Sequence, residues 1–310
     1  TFSDISTENP TYYPGLADIE SGLVELCVLA QACDPCLTDA VDCMQLTIQK
    51  QPTVEVGFDL TVCDGEEILL EAETANYCGL QWATDGDGVF GDASSATTSY
   101  TPGTDDVLAG GAELCITAQA CNPCEISAND CLVINIQKAV TAGAGEDATI
   151  CEGETYFLAD AYADGYSQII WAAINGAGEF DNEQNMNPVY TPSSLDVQQG
   201  CVTLQIFAQA ISPCTVNATD DMELCIQTQP TVTAGADITL CEDESYNLLD
   251  ANATDYSSLL WSSNGDGTFD DASTMNPTYY PGTLDLELQQ AVLTFTVFAV
   301  NPCEGFISDD

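Results

Sequence analysis

Sixteen cysteines and fifty acidic residues stand against two lysines and no histidine in this chain of 310 residues. Thiols in that number, with no histidine at metal-type spacing, point to disulfides and to an oxidising compartment. The acids suggest a second chemistry. Asp85-Gly86-Asp87-Gly88 and Asn264-Gly265-Asp266-Gly267 resemble fragments of calcium loops, with Asp92 behind the first and Asp270 and Asp271 behind the second. Calcium takes roughly six to eight oxygens, and such a fragment supplies at most half of them. The matching stretch Asn175-Gly176-Ala177-Gly178 keeps the glycines and loses the acid. That favours a tight turn in which glycine supplies a positive φ, with calcium at Asp85, Asp87, Asp92, Asp266, Asp270 and Asp271 as the alternative. Catalysis fits poorly: there is no histidine base, nucleophile elbow, phosphate loop or zinc spacing, and the chain reads as a non-enzyme.

These acids belong to a repeat. Trp82, Gly86, Gly88, Phe90, Tyr100 and Pro102 return as Trp171, Gly176, Gly178, Phe180, Tyr190 and Pro192, then as Trp261, Gly265, Gly267, Phe269, Tyr279 and Pro281. The period is about 89 residues, the sign of one structural unit strung in series. Phe2, Tyr12 and Pro14 mark the tail of another copy. Boundaries at Gln51-Pro52, Lys138-Ala139 and Gln229-Pro230 give a C-terminal half-repeat at 1–50, full copies at 51–138 and 139–229, and a copy at 230–310 lacking its last strand. A chain that opens and closes in mid-repeat is expected to be a slice of a longer polypeptide. Junctions this short make neighbouring repeats of the same chain the first partners.

Within each copy the apolar period is that of strands, as in Val202, Leu204, Ile206 and Ala208, or Leu132, Ile134 and Ile136. Several short apolar runs per copy, separated by Gly, Asp, Asn and Pro, fit an all-β fold of tandem Greek-key β-sandwiches, with the recurring Trp in the core. Short acidic helical turns are expected at Asp105–Ala109 and Leu195–Gln199. Asp18, Asp106, Asp196 and Asp285 recur after each Tyr-x-Pro and are expected to cap a turn through backbone N–H groups.

Comparison among copies constrains the cysteines. Cys27 and Cys43 occupy the places of Cys115 and Cys131. In the next copy both places change together, to Gln205 and Asp221, while Cys201 appears four residues earlier than the first and Cys225 four residues later than the second. Opposed residues of an antiparallel hairpin keep a constant index sum, so the bridge has slid along one face of one hairpin. This pairs Cys27 with Cys43, Cys115 with Cys131 and Cys201 with Cys225. Cys78 and Cys121 are also lost together, becoming Ser167 with Ile211 and Ser257 with Val300, and are paired for that reason; Cys33 is the counterpart of Cys121. Each copy further carries a cysteine before its second main strand and one at a Pro-Cys loop tip. Two schemes remain open for these. Pairing within copies joins Cys63 to Cys124, Cys151 to Cys214 and Cys241 to Cys303, which the inventory favours because only the half-repeat is left unsatisfied. Pairing between copies joins Cys63 to Cys214 and Cys151 to Cys303, which sandwich topology favours because it places the two loops at opposite ends.

The phrases CEGETYFLADAYADGYSQIIW, GDGTFDDASTMNPTYYPGTLD and VTLQIFAQAISPC resemble the tandem PKD-like, immunoglobulin-like repeats of very large secreted Bacteroidota proteins. The likeness spans essentially the whole chain. It implies immunoglobulin-like sandwiches in a linear array, and cell-surface adhesins or filaments exported by the type IX route, of gliding-adhesin or grappling-hook type. The expectation is therefore a disulfide-stapled stalk or filament segment mediating extracellular attachment, with a homo-oligomeric filament as one form and the surface or cell ligand unassigned. A glycan- or protein-binding module and a calcium-stiffened fibre are the alternatives. The net charge of −48 repels nucleic acid and anionic lipid, and no stretch reads as a membrane span.

Overall fold

Alternation decides the architecture. In the strand Gly111–Ala120, Ala112, Leu114, Ile116 and Ala118 point inward and are buried, while intervening residues face outward. The computed structural model describes residues 1–310, with 46% of residues in strands and 8% in helices. The chain falls into two compact units, one of Thr1–Ala139 with the tip Ser212–Cys214, the other of Val140–Ile211 with Thr215–Asp310.

In the first unit a four-stranded sheet runs in the order Leu60–Cys63, Ala128–Gln137, Gly111–Ala120, Tyr77–Thr84. Its outer strand Leu60–Cys63 lies parallel to Ala128–Gln137, and the other neighbours are antiparallel. A three-stranded sheet of Ile68–Glu71, Thr97–Thr101 and Val89–Phe90 supplies the second layer. Between the layers lie Leu70, Trp82, Tyr100, Leu114, Ile116 and Ile134, none more than 2% exposed. This is the immunoglobulin-like sandwich. Residues 1–50 contribute a helix and the hairpin Leu23–Ala30 with Ala40–Thr47, most of it exposed.

The second unit has two cores. One is centred on Trp171, Tyr190, Leu204, Ile206 and Leu224, beneath a sheet ordered Ala148–Cys151, Ala218–Gln227, Cys201–Ala210, Tyr166–Ala173. The other gathers Leu248, Trp261, Tyr279, Phe295 and Val297, with the strands Tyr256–Ser263, Leu293–Ala299 and Phe306–Asp309 forming one layer. All three Trp rings are no more than 2% exposed. Stacking against a carbohydrate is thereby closed to them. Trp82 Nε1 donates to Ser95 O at 2.9 Å and Trp261 Nε1 to Met275 O at 3.3 Å, whereas Trp171 Nε1 has no acceptor.

Four one-turn helices precede the long strands: α1 (Leu16–Ser21), α2 (Thr104–Ala109), α3 (Ser194–Gln199) and α4 (Thr283–Leu288). The first three end on a left-handed glycine, Gly22, Gly110 and Gly200, and the fourth on Gln289 at φ 55°. No helix is long and apolar enough to cross a membrane.

Candidate functional site: tyrosine–aspartate knots and a sulfur ladder

The spacing Tyr-x-Pro-x-x-x-Asp places a hydroxyl and a carboxylate face to face. Tyr100 sits near the end of the strand Thr97–Thr101, Pro102 and Gly103 turn the chain, and Asp106 is the third residue of α2. Asp106 accepts hydrogen bonds from Tyr100 OH at 2.6 Å and from the backbone N–H of Gly103 at 3.0 Å, Gly88 at 3.1 Å and Asp87 at 3.1 Å. One buried carboxylate thus joins strand, helix start and the glycine loop. Asp196 repeats this with Tyr190 OH at 2.9 Å and the N–H of Ser193 and Ala177, both at 2.8 Å. Asp285 repeats it with Tyr279 OH at 2.6 Å and Gly282 N–H at 2.9 Å. In the first half-repeat Asp18 binds Tyr12 OH at 2.6 Å and Gly15 N–H at 2.8 Å.

Burial alone would raise these carboxyls, but the hydrogen bonds converging on Asp106, Asp196 and Asp285 outweigh it and hold each below the ordinary 3.8. Burial, reinforced by the bond to the carboxylate, pushes Tyr100 up to about 12 and raises Tyr190 and Tyr279 as well. The recurring aspartates therefore do cap a turn, as expected, but they also hold the tyrosine hydroxyl. The constant six-residue interval between the two was the available signal.

The glycine loops require one correction. None of Gly86, Gly88, Gly176, Gly178, Gly265 or Gly267 has positive φ. Glycine is needed there because the backbone passes against the knot. A Cβ on Gly86 or Gly265 would run into the carboxylate of Asp106 or Asp285, and one on Gly88, Gly178 or Gly267 into the Tyr100, Tyr190 or Tyr279 ring. Close approach, not handedness, keeps the residue glycine.

The calcium candidates are spread over separate turns. Asp85 accepts Glu113 N–H at 2.8 Å. Asp87 accepts the N–H of Asp105 and Asp106, and Asp266 those of Leu284 and Asp285, at the starts of α2 and α4. Asp92 caps Ser94 N–H and Asp271 caps Ser273 N–H, each at 2.9 Å, and Asp270 accepts the N–H of Asp271 and Thr278 at 2.8 Å. A calcium ion needs most of its oxygens from one converging set, and these carboxylates are committed to backbone donors. Metal-type side chains meet in threes at Glu25, Cys27 and Cys43, at Glu113, Cys115 and Cys131, and at Cys201, Glu223 and Cys225. In each the two sulfurs are bonded to one another. The residues present do not fit a calcium site.

Six disulfides define the second feature. Cys27–Cys43, Cys115–Cys131 and Cys201–Cys225 each join residues directly opposed across an antiparallel hairpin, with Cα atoms 4.0, 4.1 and 3.9 Å apart. Gln205 opposes Asp221 where the bridge has moved away. Cys78 is bonded to Cys121. Cys63 is bonded to Cys214 and Cys151 to Cys303, at sequence separations of 151 and 152. The within-copy scheme, Cys63 with Cys124, Cys151 with Cys214 and Cys241 with Cys303, is not formed. The reason is visible at Cys303, whose Sγ lies 3.3 Å from Gln227 O, at the end of the preceding copy's last strand and paired opposite Cys151 in that sheet. The tip reaches back to the copy before it. Cys33, Cys36, Cys124 and Cys241 are free thiols.

No protein-family model matches the chain, and no curated protein matches it. Among solved structures it is similar to extracellular cadherin domains 1–4 of protocadherin gamma B7, at 13% identity over all of this chain and 89% of that one, with a TM-score of 0.47. It is also similar to domains EC22–24 of mouse cadherin-23, at 14% identity over 84% of this chain and 96% of that one, TM-score 0.42. The paired immunoglobulin domains of DIP-gamma match 58% of this chain with 99% of their own, at 11% identity and a TM-score of 0.39.

Proposed function

We propose that this chain is a structural segment of an extracellular adhesive fibre, a series of immunoglobulin-like repeats bolted by sulfur and used to hold an attachment under tension. The observation that carries the reading is the Cys151–Cys303 disulfide, which joins the copy at 139–229 to the copy at 230–310 instead of closing either one upon itself. A bond in that position resists extension of the series, a property without use to an isolated binding domain. Six disulfides support an oxidising location outside the cytoplasm. The charge of −48 supports a solvated surface that rejects nucleic acid and anionic lipid.

The resemblance to giant Bacteroidota repeats supports export by the type IX route and a place in an adhesin or surface filament. Recognition of the ligand then falls to other parts of the assembly, because the tryptophans Trp82, Trp171 and Trp261 and the tyrosines Tyr100, Tyr190 and Tyr279 that recur in the copies are buried in their cores. Immunogold imaging of intact cells with antibody raised to the chain tests the proposal. Label along fibres outside the cell is expected. Label confined to the cytoplasm, or on dispersed globules, overturns it.

A further inference from the structure

The two long disulfides obey one rule: the entry cysteine of a copy, at the end of its short outer strand, takes the Pro-Cys tip of the copy that follows. Three free thiols occupy the same two kinds of place. Cys241 is the entry cysteine of the last copy, and Cys36 and Cys124 are tips.

The hydrogen bonds at Cys124 and Cys241 match those of the bonded residues. At the bonded tips, Cys214 Sγ lies 3.4 Å from Gln137 O and 3.8 Å from Lys138 O, and Cys303 Sγ lies 3.3 Å from Gln227 O and 3.9 Å from Thr228 O. Cys124 Sγ lies 3.4 Å from Gln49 O and 3.8 Å from Lys50 O. At the bonded entries, Cys63 N–H and Cys151 N–H donate to Glu66 and Glu154 at 3.5 and 3.1 Å; Cys241 N–H donates to Glu244 at 3.2 Å. The return bonds, from the N–H of Glu66, Glu154 and Glu244 to the cysteine carbonyl, are 3.2, 3.1 and 3.1 Å. Cys36 N–H reaches Cys33 O at 2.8 Å, as Cys124 N–H reaches Cys121 O. Exposure differs, and at Cys241 so does the backbone: Cys63 and Cys151 end the strands Leu60–Cys63 and Ala148–Cys151, whereas Cys241 lies in no strand. Bonded Cys214 and Cys303 are 7% and 4% exposed, whereas Cys124 is half-buried and Cys36 and Cys241 are exposed.

We propose that Cys241, Cys124 and Cys36 are preformed halves of the between-copy bolt, and that the partner of each is a further copy of this same repeat. The local hydrogen bonds of the tip at Cys124 and of the entry at Cys241 are in place before any bond exists, so a copy carrying the complementary half is recognised whichever polypeptide bears it. Closing the bolt converts two thiols to one disulfide, with loss of two protons and two electrons. A small-molecule disulfide such as oxidised glutathione takes up the electrons by exchange and leaves as two thiols. Cys33 lies outside this set, since its counterpart Cys121 is bonded to Cys78 within one copy. The inference stands apart from the tether reading, because a chain with any other duty could be joined in this way.

The test is incubation of the whole chain in a glutathione redox buffer across a concentration series, followed by thiol blocking, non-reducing electrophoresis and disulfide mapping by mass spectrometry. Covalent dimers and higher species are expected, with Cys241 of one chain bonded to Cys36 or Cys124 of another. Cys241→Ser should lower their yield at least tenfold, as should Cys36→Ser with Cys124→Ser together, while Cys33→Ser leaves the yield unchanged. Absence of covalent species, their survival in Cys241→Ser, or bonding of Cys241 to Cys33 as readily as to the tips would overturn the proposal. Because all these variants retain the six native disulfides, circular dichroism and the reduced mass confirm that a change in yield is not a loss of fold.

Discussion

Pulling the chain by its ends measures the sulfur connectivity directly. Fully reduced, 310 residues extend to about 1,100 Å. With the disulfides intact, tension passes through Cys27–Cys43, Cys78–Cys121, Cys115–Cys131 and Cys151–Cys303, and only about 95 residues, or roughly 350 Å, remain to be stretched. Cys303→Ser reroutes the tension through Cys63–Cys214 and leaves about 140 residues, roughly 500 Å. Cys214→Ser alone changes nothing, since the shortest path does not use that bond. The two substitutions together release about 220 residues, roughly 800 Å. Single-molecule force spectroscopy of the chain between handles reads these lengths, with and without reductant. The non-additive pattern is the signature of overlapping bonds. A chain in which Cys214→Ser alone lengthened the trace as much as Cys303→Ser would refute the connectivity, and a length indifferent to reductant would refute the role of sulfur altogether.

Further outcomes follow from the knots and from the loops beside them. Asp196→Ala strips the acceptor from Tyr190 OH and two backbone N–H groups and should cost about 3 kcal/mol or more, against about 1–2 kcal/mol for Tyr190→Phe, in denaturant titration; equal effects would show that the carboxylate is not the hub. The carboxyls of Asp106, Asp196 and Asp285 lie below their unfolded value of 3.8, so their contribution is present above that pH and is lost as pH falls through the folded values. Tyr100 shifts the other way: its contribution is present below pH 10 and is lost as pH rises toward about 12. A melting midpoint that is flat across both windows would contradict the knots. Calcium and a chelator, compared at matched ionic strength, should leave the melting midpoint unchanged; a rise of several degrees with calcium would show that the Asp85 and Asp266 loops rearrange to hold the ion.

Much of the sandwich was legible because the chain contains its own comparison. Paired changes at Cys115 with Cys131 and at Gln205 with Asp221 reveal a hairpin register in the sequence itself, since opposed residues share a face. Cys78 and Cys121 were visible for the same reason. The choice between Cys63–Cys124 and Cys63–Cys214 was not, because both kinds of cysteine occur once in every copy and never vary. Only the packing of a tip against the preceding copy separates the two. The glycine loops misled in an instructive way. Repetition of Gly86 and Gly88 says that a Cβ is forbidden, but not whether φ or a neighbouring carboxylate forbids it, and the neighbour, Asp106, lies beyond two intervening strands in the chain. Tyr100 read only as a marker of the repeat, and its hydroxyl came into view only with the buried acid beside it.

The intervals closed by Cys63–Cys214 and Cys151–Cys303 overlap, as adjacent shingles do. Any single cut in the backbone between residues 63 and 303 therefore falls inside at least one closed interval, and the severed pieces stay attached. Enzymes that clip exposed loops can nick this chain at one such point without parting it. Damage of that kind would accumulate silently for as long as the surroundings keep sulfur oxidised, and a reducing environment would release it all at once.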